Sequence, residues 1–390
     1  MRRIAWLLTV ILIYSRGVAQ SPAVGPASTN IPGAEYPRIN QDQSVTFRVK
    51  ADSAHQIQLL MELGQSTYDM AKTSSGLWEV TTKPLSPGLH YYAISVDGFA
   101  SNDPGSRVFF AARKEVSGLE VPGPESDFFA IKDVPHGTVR TEWYRLKDTG
   151  QTRRIIVYTP PGYDQSHELY PVRYLQHGYG EDEVGWSDQG HENFILDNLI
   201  ASGKAKPMII VNENGMIDTE HQTLPAVDNL NGPARSAAIA AWFMDQRYAL
   251  FDQVVNSDLI PFIDSHFRTI PDRNHRALAG LSMGGSQALR IGLHHLDQFA
   301  YVGAFSPAIH ITDIHTDYDG ALGDPSTINQ QLKLLWIGIG RDDFLHAPVL
   351  ESHQALDHAG IKHVWVESGG AHVWTVWRQY LDDFAPRLFQ

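Results

Sequence analysis

The stretch Arg276-Ala277-Leu278-Ala279-Gly280-Leu281-Ser282-Met283-Gly284-Gly285 decides the reading of this chain. It opens as an apolar run of the kind that forms a buried strand, and Ser286 to Leu293 after it has helical periodicity. Between them stands Gly-x-Ser-x-Gly. A serine on a sharp strand-to-helix turn needs neighbours without side-chain bulk, because the backbone must pass close behind it. Such a turn lifts the hydroxyl above a sheet. It also leaves the next N–H, that of Met283, facing the same space at a helix N-terminus. The five-residue pattern alone is common. The strand before it and the helix after it favour a nucleophile elbow over a Gly-rich turn with a capping serine.

Outward from this point the chain alternates. Arg154 to Thr159, Val172 to Gln176, Met208 to Val211, Ala277 to Leu281, Tyr301 to Phe305, Leu334 to Gly338 and His363 to Glu367 are short apolar runs suited to strands. Phe194 to Ile200, Phe251 to Phe267, Ser286 to His294, Val349 to His358 and Val373 to Phe384 have helical periodicity. The alternation predicts an α/β-hydrolase domain over residues 130–390, with a mainly parallel sheet covered on both faces. Reactive groups in such sheets sit at the carboxyl ends of strands.

A serine nucleophile needs a base, and in this fold the chain order is serine, acid, histidine. Of the 18 histidines, His372 fits best. It lies in Gly369-Gly370-Ala371-His372, on a loop after the last strand and before a helix. The acid is expected after Leu334 to Gly338, where Asp342 and Asp343 compete; Asp343 is the first choice, and Asp342 the alternative. The oxyanion hole needs a second backbone N–H from the loop after an early strand. His177-Gly178-Tyr179-Gly180 follows Val172 to Gln176, so the Tyr179 N–H is paired with that of Met283.

The N-terminal part has another texture. Residues 21–40 are rich in Pro, Gly, Ser and Asn and read as a flexible lead-in. Val45 to Val49, Ile57 to Met61, Trp78 to Val80 and Tyr91 to Val96 are strand candidates broken by turn residues. They predict a small all-β immunoglobulin-like sandwich over residues 41–112, with a linker over 111–135. Val45-Thr46-Phe47, Gly76-Leu77-Trp78-Glu79-Val80, Leu85 to Tyr92, Val96-Asp97-Gly98 and Asp103-Pro104 resemble the modules placed ahead of glycogen-branching and related enzymes, many of which bind α-glucans. Trp78 and Tyr92 fall where such a sandwich packs its core, so the resemblance speaks for fold before sugar binding.

Charge and termini narrow the classes further. The net charge is −13, and −16 without Arg2, Arg3 and Arg16. Such a surface repels phosphate backbones and excludes nucleic acid as a natural partner. Arg2 and Arg3, apolar Ile4 to Tyr14 and small residues Gly17 to Ala19 read as a signal peptide over 1–20, too short an apolar run for a membrane span. A secreted or periplasmic protein is expected. With no cysteine, disulfides and thiolate chemistry are excluded. His294-His295 does not make a metal site, because adjacent helical residues point apart.

At Val134-Pro135-His136-Gly137, Tyr158 to Asp164, Tyr174 to Gly178, Asp197 to Ala201 and Ala279 to Gly285 the chain resembles carbohydrate esterase family one. Its members include feruloyl esterases and acetyl xylan esterases. The resemblance implies Ser282, Asp343 and His372 as catalytic residues, Tyr179 and Met283 as oxyanion donors, and neither metal nor cofactor. It implies ferulate or acetate esters of xylan or arabinoxylan as substrates. Enterochelin-type esterases and mycolyl-transfer enzymes share the fold and are the alternatives within it. A carbohydrate-binding scaffold with an inactive hydrolase domain is the alternative outside it. Among Tyr179, Trp186, Trp242, Trp374 and Trp377, Trp186 is the first choice for stacking a phenolic ring or sugar, since it lies in the loop leaving the oxyanion strand.

Overall fold

The computed structural model describes residues 24–217 and 248–390. The expected signal peptide and Trp242 lie outside them. Among the described residues, no helix is long and apolar enough to cross a membrane.

Two antiparallel sheets form the N-terminal sandwich. One runs in the order Gly25–Pro26, Arg38–Ile39, Val45–Val49, Trp78–Thr81, Ala71–Lys72. The other runs Val108–Ala111, Lys114–Val121, Gly88–Val96, Ile57–Met61, Ser66–Asp69, with Phe99–Ser101 also paired to Gly88–Val96. Alternation along each strand sends Val45, Phe47, Ile57, Leu59, Tyr92 and Ile94 inward, and Trp78 joins them. Two expectations need correction. The lead-in 21–40 holds two short strands, with Ile39 buried in the sandwich core. Lys114–Val121, read as linker, is an inner strand whose Leu119 and Val121 are fully buried. Its interleaved Glu115, Ser117 and Glu120 disguised the strand; Ser117 Oγ accepts from the Asp103 N–H and Glu120 pairs with Arg378.

The second domain is an eight-stranded mixed sheet. Its order is Thr138–Arg145, Thr152–Thr159, Ile209–Glu213, Val172–Gln176, Arg276–Leu281, Tyr301–Phe305, Leu334–Gly340, Val364–Ser368. From Ile209–Glu213 onward all pairings are parallel. Central strands such as Val172–Gln176 and Arg276–Leu281 are buried along their whole length, as layers on both faces require. Phe305 sits among Trp186, Trp336, Tyr380 and Phe384, with ring centroids 5.2–6.1 Å apart. Such pairs add about 0.5–1.5 kcal/mol each beyond area burial. The register brings Gln176 beside Gly280, Leu281 beside Phe305 and Gly340 beside Ser368. Loops from five strands therefore open at one carboxyl edge.

The helix Trp374–Phe384 ties the domains together. Buried Arg378 pairs with both carboxylate oxygens of Glu120 at 2.8 and 2.9 Å and donates to the Gln189 carbonyl at 2.8 Å. Its guanidinium also lies 4.4 Å from the Phe129 ring centroid.

Candidate active site

Ser282 occupies the turn between Arg276–Leu281 and the helix Met283–His294, at φ 52° and ψ −116°. A non-glycine residue there is strained by about 1–3 kcal/mol and is held by its surroundings. Its N–H donates to the Phe305 carbonyl (2.8 Å), and its carbonyl accepts from the Ser286 and Ala308 N–H groups (3.1 and 3.2 Å). The flanking glycines are required by close approach. A Cβ on Gly280 would lie 2.5 Å from the Gly284 backbone, and one on Gly284 would lie 2.6 Å from the Gln176 and His177 carbonyl oxygens.

The structure places Asp343, not Asp342, against His372. Nδ1 of His372 lies 2.8 Å from Oδ2 of Asp343, whose Oδ1 accepts the Leu345 N–H at 2.9 Å. Asp342 points to solvent. Burial would raise the Asp343 carboxyl, but the hydrogen bonds from His372 and Leu345 and the attraction of His372 outweigh it and hold it below the usual carboxylate range. The loops that carry Asp343 and His372 are locked together. Arg341 and Asp342 N–H groups donate to the Ser368 and Gly370 carbonyls, both at 3.0 Å, and a Cβ on Gly340 would strike the Gly370 carbonyl. With Nδ1 engaged, Nε2 is the nitrogen left to handle a substrate proton. The His372 ring rests edge-on against Trp377 (4.9 Å) and tilted against Phe344 (4.7 Å).

His177-Gly178-Tyr179-Gly180 runs beside the elbow. A Cβ on Gly178 would lie 2.6 Å from Leu281 Cδ1 and 3.6 Å from Ser282 Cβ. The Gly178 N–H donates to Oε2 of Glu181 at 3.0 Å. His177 is buried, and burial keeps it neutral by lowering its pKa. Its Nε2 accepts from the Gly215 N–H at 3.1 Å, which leaves Nδ1–H to donate to the Gly178 carbonyl at 2.7 Å. The Met283 N–H is the first of its helix and has no intrahelical acceptor.

Trp186 corrects an expectation. It is fully buried, donates its indole N–H to the Gln176 carbonyl at 2.9 Å and stands edge-on to Trp374 at 5.2 Å. It supports the strand Val172–Gln176 from behind and has no exposed face for a ligand. Trp374 and Trp377 are buried too. The exposed aromatic side chains at the site are Tyr179 and Phe344, 52% and 75% accessible. Phe344 escaped the sequence reading because it follows the acid in a polar loop.

The N-terminal domain reaches this loop. Ala112 and Arg113, at φ 51° and 63°, form the two-residue tip of the hairpin joining Val108–Ala111 to Lys114–Val121. The Arg113 N–H donates to the Gly180 carbonyl at 2.8 Å. Gly180 has φ +82°, and a Cβ there would lie 3.3 Å from Ala112 Cα and Arg113 N. Tyr91 accepts from Trp374 Nε1 and Gln189 Nε2 at 3.2 and 3.3 Å. Gly180→Ala should therefore displace the loop His177–Gly180 from the hairpin. A fall in kcat of about 10- to 100-fold on a small soluble ester, with KM little changed, is expected by steady-state kinetics.

Glu181, the first of three successive acidic residues Glu181-Asp182-Glu183, is a site residue that the sequence reading passed over. Burial raises its carboxyl to about 7, against the lowering effect of the Gly178 N–H. The folded chain thus holds a proton that the unfolded chain releases above its ordinary value of 4.5. This contribution to stability is present in acid and is lost as pH rises through about 7. Glu181→Gln should remove that component. Urea unfolding at about pH 5 and about pH 8 should show the variant gaining on the wild type at the higher pH.

Residues 147–388 match the Esterase family, described as "Putative esterase". An endo-1,4-beta-xylanase/feruloyl esterase of Xylanibacter ruminicola is 34% identical over 373 residues, covering 94% of this chain and 47% of that protein. The chain thus spans about half the length of that relative. A ferulic acid esterase structure from Anaeromyces mucronatus is 25% identical with a TM-score of 0.55, covering 68% of this chain and 96% of its own. Ferric enterobactin esterase from Salmonella typhimurium, 18% identical, shares the fold over 90% of this chain and 95% of its own with a TM-score of 0.55.

Proposed function

The chain belongs to the Esterase family, and we propose that it is a carboxylic ester hydrolase that cleaves feruloyl esters of plant arabinoxylan with Ser282 as nucleophile. The observation that carries the mechanism is the 2.8 Å contact of His372 with Asp343, on locked loops at the same strand ends as the strained Ser282 turn.

His372 Nε2 takes the Ser282 hydroxyl proton as Oγ attacks the ester carbonyl. Asp343 fixes the Nδ1–H tautomer and stabilises the imidazolium. The Met283 and Tyr179 N–H groups receive the oxyanion. The alcohol leaves with the proton from His372, and water then releases the acid from the acyl-enzyme by the same steps reversed. The substrate reading is supported by the named activity of the Xylanibacter ruminicola relative, and by exposed Phe344 beside His372 as a platform for a phenolic ring. The arginines and apolar run at the N-terminus support export to periplasm or medium. The sandwich, expected over 41–112 and extended by its outer strands to 25–121, is the part proposed as a carbohydrate-binding module, and 130–390 as the esterase domain.

Ferulate release from methyl ferulate and feruloylated arabinoxylan, beside acetate release from acetylated xylan, tests the substrate. Ferulate release by the wild type supports the reading. Acetate release alone moves the substrate to acetyl xylan. Cleavage of neither, with Ser282 still labelled by a phosphonate, moves it to siderophore esters. Retention of the chain on insoluble xylan or starch separately tests sugar binding.

A further inference from the structure

Far from Ser282, on the opposite edge of the sheet, three side chains converge that the esterase chemistry does not use. We propose that His353, Asp357 and His363 bind one divalent transition-metal ion of the zinc type, which fastens the end of the helix His346–His358 to the start of the edge strand Val364–Ser368.

Their ligand atoms lie within 4.8 Å of one another, the one such grouping of three among the described residues. Nδ1 of His363 is 2.8 Å from the Ile361 carbonyl and must donate to it, so Nε2 carries a lone pair. That fixing of the far nitrogen by a backbone carbonyl is how metal-bound histidines are oriented. Nδ1 of His353 lies 2.8 Å from this lone pair. One helical turn on, the Asp357 carboxylate stands 3.6 Å from His353 Nε2 and 3.9 Å from His363 Nε2. The His353 ring is stacked flat on Trp365 at 4.2 Å, and the His363 side chain is 1% exposed.

With His353 neutral, hydrogen bonding leaves this group incompletely paired. A neutral His353 that donates through Nδ1 turns its Nε2 lone pair toward a carboxylate. A cation satisfies two imidazoles and the carboxylate together. Ligand atoms about 2.0–2.1 Å from a tetrahedral zinc stand about 3.3 Å apart, so small side-chain shifts suffice. Two imidazoles and one carboxylate suit zinc, nickel or cobalt and disfavour calcium and magnesium.

The position gives the ion a structural role. His363 precedes Val364, which pairs with Trp336 at the amino end of Leu334–Gly340, whereas Ser368 and the His372 loop lie at the carboxyl end. The carboxyl end is already fastened, since His346 meets Glu367 at 2.7 Å. The ion would fasten the other end.

The test uses untagged full-length protein, stripped with a chelator and titrated calorimetrically with zinc chloride. About one equivalent should bind with micromolar affinity, and at 100 times Kd the Tm should rise by about 5 °C. Magnesium at the same concentration should do neither. His353→Gln and Asp357→Asn, both at partly exposed positions, should each weaken zinc at least about tenfold. Circular dichroism without metal confirms that the variants fold. No saturable zinc binding below millimolar, or binding unchanged in both variants, overturns the proposal. Esterase activity is a separate readout, so failure of the substrate reading leaves this result standing.

Discussion

Ser282→Ala should lower kcat on a feruloyl or acetyl ester by at least about 10⁴-fold, because neither His372 nor the oxyanion donors can replace a missing nucleophile. Its fold should survive. Alanine has the same backbone preferences as serine, so the strain at φ 52° is unchanged and stability should shift by no more than about 0.5 kcal/mol. Ser282→Gly should be equally inactive yet more stable by about 1 kcal/mol, since glycine tolerates that conformation. The pair separates the hydroxyl from the strain. Initial rates, thermal melts and labelling by a serine-reactive phosphonate read all three. Most of the activity remaining in Ser282→Ala would move the nucleophile elsewhere.

The site was legible where chemistry imposes a local pattern. Gly280 and Gly284 announce the elbow because a side chain on either would strike backbone, and that demand appears in sequence as fixed glycines. Parallel strands buried on both faces, such as Tyr301–Phe305, appear as plain apolar runs. What stayed hidden depends on partners far along the chain. Lys114–Val121 looked too polar for a strand because Glu120 is neutralised by Arg378, 258 residues later. Trp186 looked available because its loop leaves the oxyanion strand, but its ring turns back under that strand. Glu181 drew no notice in the sequence, and only the fold removes its water. Ala112 and Arg113 carried no signal, since neither residue favours the left-handed region that their hairpin requires.

Asp342 and Asp343 are adjacent carboxylates that the sequence alone could not separate fully, and their asparagine variants should diverge sharply. In Asp343→Asn the amide keeps an oxygen for the Leu345 N–H but turns its NH₂ toward Nδ1 of His372. The imidazole must then accept at Nδ1 and carry its proton on Nε2, where it cannot take one from Ser282. The expected fall in kcat is about 10³- to 10⁴-fold with KM little affected. Asp342→Asn changes an exposed side chain whose backbone N–H still bonds Gly370, so activity should stay within about threefold. Stability adds a second readout. The folded-state pKa of Asp343 lies below its ordinary 3.8, so its ionised form contributes stability above that value, and the contribution disappears as pH falls through the folded pKa. The stability gap between wild type and Asp343→Asn should accordingly be full at neutral pH and narrow only in strong acid. Equal losses of activity in the two variants, or a gap independent of pH, would remove Asp343 from its role beside the base.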